Sequence, residues 1–306
     1  TDLDKVADLV EMCFPLQQDP DGQTYIREMR RASREMRMLG WLSKLAELDG
    51  SKAAGFVWED GGRIVGNLSL IPFKDRGTRI HLIANVAVHP AFRNQGIARA
   101  LTDRALDYLR RQNEPYAWLQ VKSDNPGAIH LYRETGFVDR TTRTTWRIRP
   151  MDVQSAGTQP ESAIKVRGRQ KNNWTLQKRW LDETYSPEIR WNLGVDFNRF
   201  EPGLIQGISN FIDGIQLKHW QVEHGGKCCG FITWQQTSSY ANNLWLAFPR
   251  GIDEWVVAKG IEIVFRKCSP RHPISVDSTE DWQTSLFLRM GFTNFRTLIW
   301  MKHNFQ

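Results

Sequence analysis

Apolar and polar residues follow two periods along the chain, and these predict helices and strands in turn. A spacing near 3.6 residues predicts helices over Leu3–Phe14 and Tyr25–Leu39. Alternation with a period of two predicts strands over Ala53–Glu59 and Arg63–Pro72, and the Gly61-Gly62 pair between them indicates a tight hairpin. The chain is therefore expected to begin with two helices followed by a hairpin.

The same two periods continue to residue 148 and complete a domain. They predict a strand over Arg79–Val88, a helix over Ile97–Arg111, a strand over Tyr116–Lys122, a helix over Asn125–Thr135 and a closing strand over Phe137–Ile148. Strands with interspersed helices favour the α/β class, here one mixed α+β sheet covered by helices.

The pattern then starts again, which indicates a duplicated unit. Glu59–Gly66 is matched by Glu223–Gly230, and Leu131–Phe137 is matched by Leu286–Phe292, in the same order along the chain. The stretch between the copies contains Pro, Ser, Gly and Gln, a composition typical of a linker. We therefore predict a domain over residues 1–150, a linker over 151–163 and a second domain over 164–306.

The turn after the third predicted strand carries candidate chemistry. The strand end Val86–Val88 leads through a short basic loop containing Gly96 into a helix. The first amides of a helix have no partner and lie at the positive end of its dipole, so this geometry suits a diphosphate. Arg93 and Arg99 flank the loop and can neutralise further charge. A capped surface helix is the alternative, and neither a Walker loop nor a dinucleotide fingerprint is present.

Two motifs in order resemble a known family. Residues Arg93–Ala98 resemble the Q/R-x-x-G-x-G/A signature of the GNAT N-acetyltransferase family, and Asn125–Phe137 is similar to that family's N-x-x-A-x-x-L-Y-x-x-x-G-F helix. The resemblance covers residues 1–150. Together with the duplication, it implies two tandem acyl-CoA N-acyltransferase (GNAT) folds, in which the C-terminal copy is degenerate.

The resemblance implies acetyl-CoA as the donor and a primary amine as the acceptor. The pyrophosphate would bind the loop amides, and the pantetheine arm would run along the strand edge, which also offers an amide to the thioester oxygen. Asn125 would bond the arm from the other side, beside its ordinary role as a helix N-cap. The implied cofactor-binding residues are Val86, Ala87, Val88, Arg93, Asn94, Gln95, Gly96, Ile97, Ala98, Arg99 and Asn125.

The match to the family helix implies that Tyr132 is the general acid that protonates the leaving thiolate; a tyrosine packed in the core is the alternative. His81 is our candidate for the general base, and a structural histidine is its alternative. Protein N-terminal acetylating members of the family carry a Glu where this chain has Gln120, which counts against a peptide acceptor. A proton relayed through water would need no side-chain base.

The second copy lacks this chemistry. The strand that ends at Pro90 is matched by one that ends at Pro249, and the same offset places Trp255 where Gly96 would fall. An indole there would keep a phosphate away from the backbone. Phe287 stands in place of Tyr132. Cofactor binding is therefore assigned to the first copy.

Composition bears on whether the protein binds membranes, nucleic acids or metals, and on its compartment. The 306 residues are 41% hydrophobic, and the absence of an apolar run near 18 residues argues against a membrane partner. The net charge of +7 is spread over both halves without a basic arm, so no nucleic acid is expected. The four cysteines lack metal-ligand spacing, so no metal is expected. Reduced thiols and the lack of a visible signal peptide favour the cytoplasm.

The leading hypothesis is an acetyl-CoA-dependent N-acetyltransferase, which acts by direct attack of a small-molecule amine. Acetylation of a protein or peptide amine is the alternative within the same class. A CoA-binding sensor without turnover is the alternative outside it. A homodimer is left open as the assembly.

Overall fold

A computed structural model describes residues 2–14, 16, 19–38, 54–75, 77–155, 163–185, 188, 190–193, 195–268, 272–279 and 282–305. The chain divides into two compact units. The first comprises Thr1–Arg140 with Ile299–Gln306, and the second comprises Thr141–Leu298. Residues 39 and 53, predicted as element ends, and residues 156–162 of the predicted linker lie outside the described residues.

The helices and strands predicted for residues 1–148 are all present. The helices are α1 (Asp2–Cys13), α2 (Pro20–Met38), α3 (Ile97–Arg111), α4 (Pro126–Glu134), α5 (Trp174–Thr184), α6 (Leu204–Ile212), α7 (Glu254–Cys268) and α8 (Thr284–Arg289). The strands are β1 (Ala54–Asp60), β2 (Arg63–Asp75), β3 (Thr78–Val88), β4 (Tyr116–Lys122), β5 (Val138–Ile148), β6 (Ile164–Gly168), β7 (Leu217–His224), β8 (Lys227–Gln235), β9 (Asn242–Ala247), β10 (Ile274–Thr279) and β11 (Thr293–Asn304). No helix within the described ranges combines the length and apolar character needed to cross a bilayer.

The β1–β2 hairpin turns at Gly61 and Gly62, whose φ angles of +53° and +78° favour glycine. Just before the turn the register shifts, because Trp58 lies opposite Gly66 and Glu59 lies opposite Ile64. Such a bulge twists the hairpin locally.

The β7–β8 hairpin of the second unit repeats this geometry. Gly225 and Gly226 take φ angles of +56° and +79°. Val222 lies opposite Gly230 and Glu223 lies opposite Cys228, so the bulge occurs at the matching position. The predicted duplication is therefore confirmed in the backbone as well as in the sequence.

Helices cover both faces of the sheet in the first unit. Successive strand residues point to opposite faces, and apolar residues on each face pack against a helix. Val65 and Leu68 pack with Leu101 of α3 in one buried cluster. On the other face, Ile64 and Ala87 pack with residues of α1. The strand end that precedes the loop is thus held between two helical layers.

The last strand of the first unit differs from the prediction. Phe137–Ile148 was expected to close it, but residues 141–148 of β5 belong to the second unit, where Trp146 lies opposite Val276 of β10. In the first unit the strand order is β1-β2-β3-β4-β11, so Ile299–Asn304 takes the closing place. Trp300 meets Trp118 of β4 edge to face there, with ring centroids 6.4 Å apart.

The second unit mirrors this arrangement. Its strand order is β5-β10-β9-β8-β7-β6, and the first half of β11 lies beside β5. The end of β11, at the end of the chain, therefore belongs to the first unit, and most of β5, which follows the first unit in sequence, belongs to the second. The division at residues 150 and 164 does not follow these compact units.

Candidate active site

The sheet of the first unit opens between β3 and β4. These parallel strands pair only where His81–Ile83 lies opposite Ala117–Leu119. Both strands continue beyond that point, to Val88 and to Lys122. Beyond Ile83 the facing backbone groups of β3 are thus not used by β4 in the described structure, and they can hydrogen-bond an extended amide chain.

A β-bulge turns β3 at the opening. Asn67 lies opposite Ala87 whereas Ser69 lies opposite Ala84, so β3 carries an extra residue there. Asn85 occupies the bulge with a φ of +51°, a conformation that asparagine tolerates better than most residues. The bulge re-aims the strand just before Val86.

Side-chain amides of two asparagines hold this bulge. Asn67 is 3% exposed, and its Nδ2 donates to the carbonyl oxygen of Asn85 at 2.9 Å. Asn85 Nδ2 donates in turn to the hydroxyl of Tyr25 on α2 at 2.6 Å. This network was not predicted from the sequence, where its local signal is an asparagine inside an apolar strand.

We expect Asn67→Ala to lower kcat by about tenfold or more, because small displacements of positioned groups cost that much or more in rate. The affinity for CoA should change little, since the loop that would hold the phosphates is untouched. Steady-state assays at saturating acetyl-CoA and CoA titration separate the two quantities. Asn113→Gly changes an exposed asparagine outside the network whose φ of +55° glycine keeps, so this control should retain the full kcat. An unchanged kcat in Asn67→Ala would show that the network has no part in positioning.

The strand end points its side chains away from the opening. Ala87 is 3% exposed and packs on the α1 face, while Val86 and Val88 pack against the α3 cluster. The carbonyl of Val88 already accepts from Cys13 Sγ at 3.3 Å and from Arg93 Nε at 3.2 Å. Arg93 is therefore placed against the strand rather than over the loop.

The loop after β3 is an anion cradle in its geometry. Asn94 and Gly96 take φ angles of +61° and +78°, and α3 begins directly after Gly96 without a side-chain cap. The first helical bond runs from Ala100 N to Gly96 O at 3.0 Å. Among the described residues, no backbone acceptor binds the amides of residues 94–99. These free donors lie at the positive end of the α3 dipole.

The remaining predicted loop residues frame these amides. Gln95 is exposed, Ala98 is half-buried and Ile97 is buried in the core. Arg99 Nη2 lies 3.2 Å from Glu134 Oε2, a pair in which both side chains are half exposed. Glu134 thus lies against Arg99 and partly neutralises its charge.

Asn125 and Tyr132 lie on α4, which follows β4. Asn125 Oδ1 accepts from Ala128 N at 3.1 Å, so this residue is the N-cap and its Nδ2 donor is left for another partner. Tyr132 is 7% exposed and meets Phe137 edge to face. Burial raises the pKa of Tyr132 to about 12, so the phenol keeps its proton at neutral pH. Within the described chain no side-chain hydrogen bond engages its hydroxyl.

His81 does not join this group. It is 4% exposed, and its Nδ1 lies 2.9 Å from Glu114 Oε1, outside hydrogen-bond angles. Val86 lies five positions after His81, which corresponds to roughly 16 Å along β3. The structure thus brings Val86–Val88, the loop and α4 together, and leaves His81 at the paired end of the strands.

The corresponding loop of the second unit is closed to an anion. Gly96 directly precedes α3, and Asp253 directly precedes α7, which begins at Glu254. The counterpart of Gly96 is therefore Asp253, and the expectation that it is Trp255 was wrong by two positions. The Asp253 carboxylate accepts from Trp255 N at 2.9 Å. A negative charge therefore caps the helix amides that a phosphate would need.

The strand edge of the second unit is occupied as well. Leu246 N of β9 donates to the hydroxyl of Tyr185 at 3.1 Å, and Tyr185 is 1% exposed. Phe287 occupies the place of Tyr132, because its carbonyl accepts from Phe292 N as that of Tyr132 accepts from Phe137 N. Among the described residues of the second copy, the Leu246 and Trp255 amides are thus bound by side chains, and a phenylalanine replaces the phenol.

The family profile that matches this chain covers only the copy that carries the candidate site. Residues 5–137 match the profile described as "Acetyltransferase (GNAT) family". The [Ribosomal protein bS18]-alanine N-acetyltransferase of Escherichia coli (strain K12) is 37% identical over 62 residues, 20% of this chain and 42% of that protein. The spermidine N(1)-acetyltransferase of Vibrio cholerae is 38% identical over 88 residues, 28% of this chain and 49% of that protein. The chain thus spans less than half the length of these curated relatives.

A solved structure shares the fold of both units. The crystal structure of a GCN5-related N-acetyltransferase from Sphaerobacter thermophilus superposes with a TM-score of 0.58 over 99% of this chain and 92% of that chain, at 14% identity. Similarity at this level of identity shows the fold. The chain is therefore built from two tandem folds of this kind.

Proposed function

We propose, because residues 5–137 match the acetyltransferase (GNAT) family profile, that the first unit transfers the acetyl group of acetyl-CoA to the primary amine of a small molecule. The observation that carries this proposal is the opening between β3 and β4. It lies between a loop with unpaired amides and a helix that offers a free amide donor and a neutral phenol. When bound, acetyl-CoA supplies a thioester carbonyl that an amine can attack.

The residues of the opening fit the donor. The amides of residues 94–99 would hold the pyrophosphate, and the unpaired edge of β3 around Val86 would bond the amides of the pantetheine arm. Asn125 Nδ2 would bond the arm from α4. The Val86 amide, aimed by the bulge, would stabilise the charge that grows on the thioester oxygen.

Proton transfer would use Tyr132 and water. As the amine nitrogen bonds to the carbonyl carbon, the carbon–sulfur bond breaks and the sulfur takes a proton from Tyr132. A thiol with a pKa of about 8.5 leaves more readily when it is protonated. The amine loses its proton to solvent, which later restores the phenol. We assign no base to His81, because it lies at the paired end of β3 and β4, five positions before Val86.

The acceptor side is lined by neutral polar groups. Tyr25, Ser69 and Asn85 meet at the bulge, where Asn85 Nδ2 lies 3.3 Å from Ser69 Oγ. These groups can orient an uncharged amine by hydrogen bonds. The Vibrio relative is named for a small polyamine, whereas the Escherichia relative is named for a protein alanine. A protein amine is therefore the second candidate, with Gln120 counting against it.

Thiol release from acetyl-CoA across a panel of amines tests the proposal. The panel holds small primary amines, polyamines and peptides with free N-termini. We expect turnover with at least one small amine and none with the peptides. Turnover with peptides alone would support the protein candidate instead. Tight CoA binding without turnover on any amine would contradict the enzyme and favour a CoA sensor.

A further inference from the structure

One cavity of the first unit lies outside the proposed acetyl-transfer site. It has a volume of about 310 Å³ and lies between α1 and the start of β2, beside His89. Its walls include Lys5, Leu9, Met12, Arg63, Ile64 and His89. None of these residues belongs to the β3 edge or to the loop of residues 94–99. We propose that this cavity binds the phosphate or carboxylate group of a small organic anion.

The ring of His89 identifies a missing acceptor. Ala91 N donates to His89 Nδ1 at 3.2 Å, so Nδ1 is an acceptor and Nε2 carries the hydrogen in a neutral ring. Nε2 lies 3.0 Å from Arg63 Nη2, which can only donate. The N–H groups of His89 Nε2 and Arg63 Nη2 therefore face each other without an acceptor. A protonated ring would also present an N–H group at Nε2, so it would not supply the acceptor. One anionic oxygen between them would accept from both.

The charges around the cavity favour the same ligand. Neither Lys5 nor Arg63 has a carboxylate partner among the residues that the structure describes. The one acidic lining residue, Asp8, accepts from Arg30 at 2.8 Å. Arginine and lysine left unpaired at a concave surface attract phosphate and carboxylate groups.

The opposite wall limits what can carry the anionic group. Leu9 and Ile64 are buried, and Met12 presents an exposed thioether chain. A short hydrocarbon fits beside them, whereas a highly hydrated polyanion would leave this wall unused. The anionic group has two sources: a phosphate of the cofactor, or a separate small molecule. The proposal requires neither turnover nor the proposed function.

Histidine-ring NMR with inorganic phosphate and acetate as probes tests this site. His89→Gln assigns the His89 signal. We expect a saturable shift of that signal with either anion, weakened about tenfold or more in affinity by Arg63→Gln, because one charge-assisted hydrogen bond is worth at least that factor. Arg111→Gln, an exposed arginine at the end of α3, is the matched control and should leave the titration unchanged. No shift, or an equal one in Arg63→Gln, would overturn the proposal.

Saturation with CoA or with 3′-dephospho-CoA separates the two sources. If CoA alone abolishes the response to phosphate, the cofactor's 3′-phosphate fills the site. If the response persists with both, the anion comes from a separate molecule. Gly96→Asp blocks anions at the loop, and the His89 response should survive it. Loss of the response in Gly96→Asp would place the bound phosphate at the loop and contradict the cavity site.

Discussion

Gly96→Asp should weaken CoA binding by about 100-fold or more. The change copies the second unit, where Asp253 caps its own helix. At an effective dielectric near 20, like charges about 4 Å apart repel by about 4 kcal/mol, or nearly a thousandfold, and solvent screening reduces this. Isothermal titration with CoA measures the loss.

Two variants separate charge from backbone strain. Gly96→Asn has nearly the same shape without the charge, and asparagine tolerates a positive φ, so most of the affinity should remain. Gly77→Asp places a carboxylate on another glycine with a φ of +83° and open space around it. It should leave CoA binding unchanged. Equal affinities for Gly96→Asp and Gly96→Asn would show that no phosphate approaches these amides.

Tyr132→Phe should lower kcat by about 100-fold or more, the usual contribution of a general acid. The ring still fills its place against Phe137, and the lost hydroxyl has no partner in the described structure, so the melting temperature should hardly change. CoA affinity should also be preserved. Single-turnover acetylation of the best amine from the panel measures the chemical step.

The pH profile gives an independent check of Tyr132. Its pKa is raised to about 12, so the phenol remains a donor where an ordinary tyrosine, with a pKa of about 10, has lost half of its protons. The wild-type rate should therefore show no fall near pH 10 from this group. Tyr108→Phe, an exposed tyrosine on α3, is the control and should keep full activity. A full rate in Tyr132→Phe would move the proton donor elsewhere.

Local patterns predicted most of the first unit. The Gly61-Gly62 turn, the helix from Ile97 and the cap at Asn125 depend on residues close together in sequence, and each is present. The loop amides followed from the same kind of argument, because a glycine before an apolar helix indicates where unpaired donors lie. Features that depend on residues close together in sequence can thus be predicted from a single sequence.

Long-range partners could not be predicted in this way. The positive φ of Asn85 depends on Asn67 in a neighbouring strand and on Tyr25 in α2. His81 looked available as a base, but a distant carboxylate, Glu114, lies against it. Trp255 was matched to Gly96 because each lies six residues after a proline, Pro249 or Pro90. The loop of the second unit is two residues shorter, so the position before its helix is Asp253.

The choice of closing strand escaped prediction for a related reason. Residues 138–148 and 293–304 both follow a Gly-Phe pair, and both make long strands. Either could have lain beside β4, and only packing of whole side chains such as Trp300 and Met301 against the first unit decides between them. Nothing in the local period of either segment carries that information.

The exchange of closing strands has a consequence for biosynthesis. The loop and Tyr132 emerge from the ribosome long before residues 299–304, which complete the same unit. Until then the outer edge of β4 has no neighbour, and an open strand edge is a template for wrong pairing. Closing it requires contacts between residues far apart in sequence, which form slowly. The second half of the chain thereby sets when the first half can finish folding.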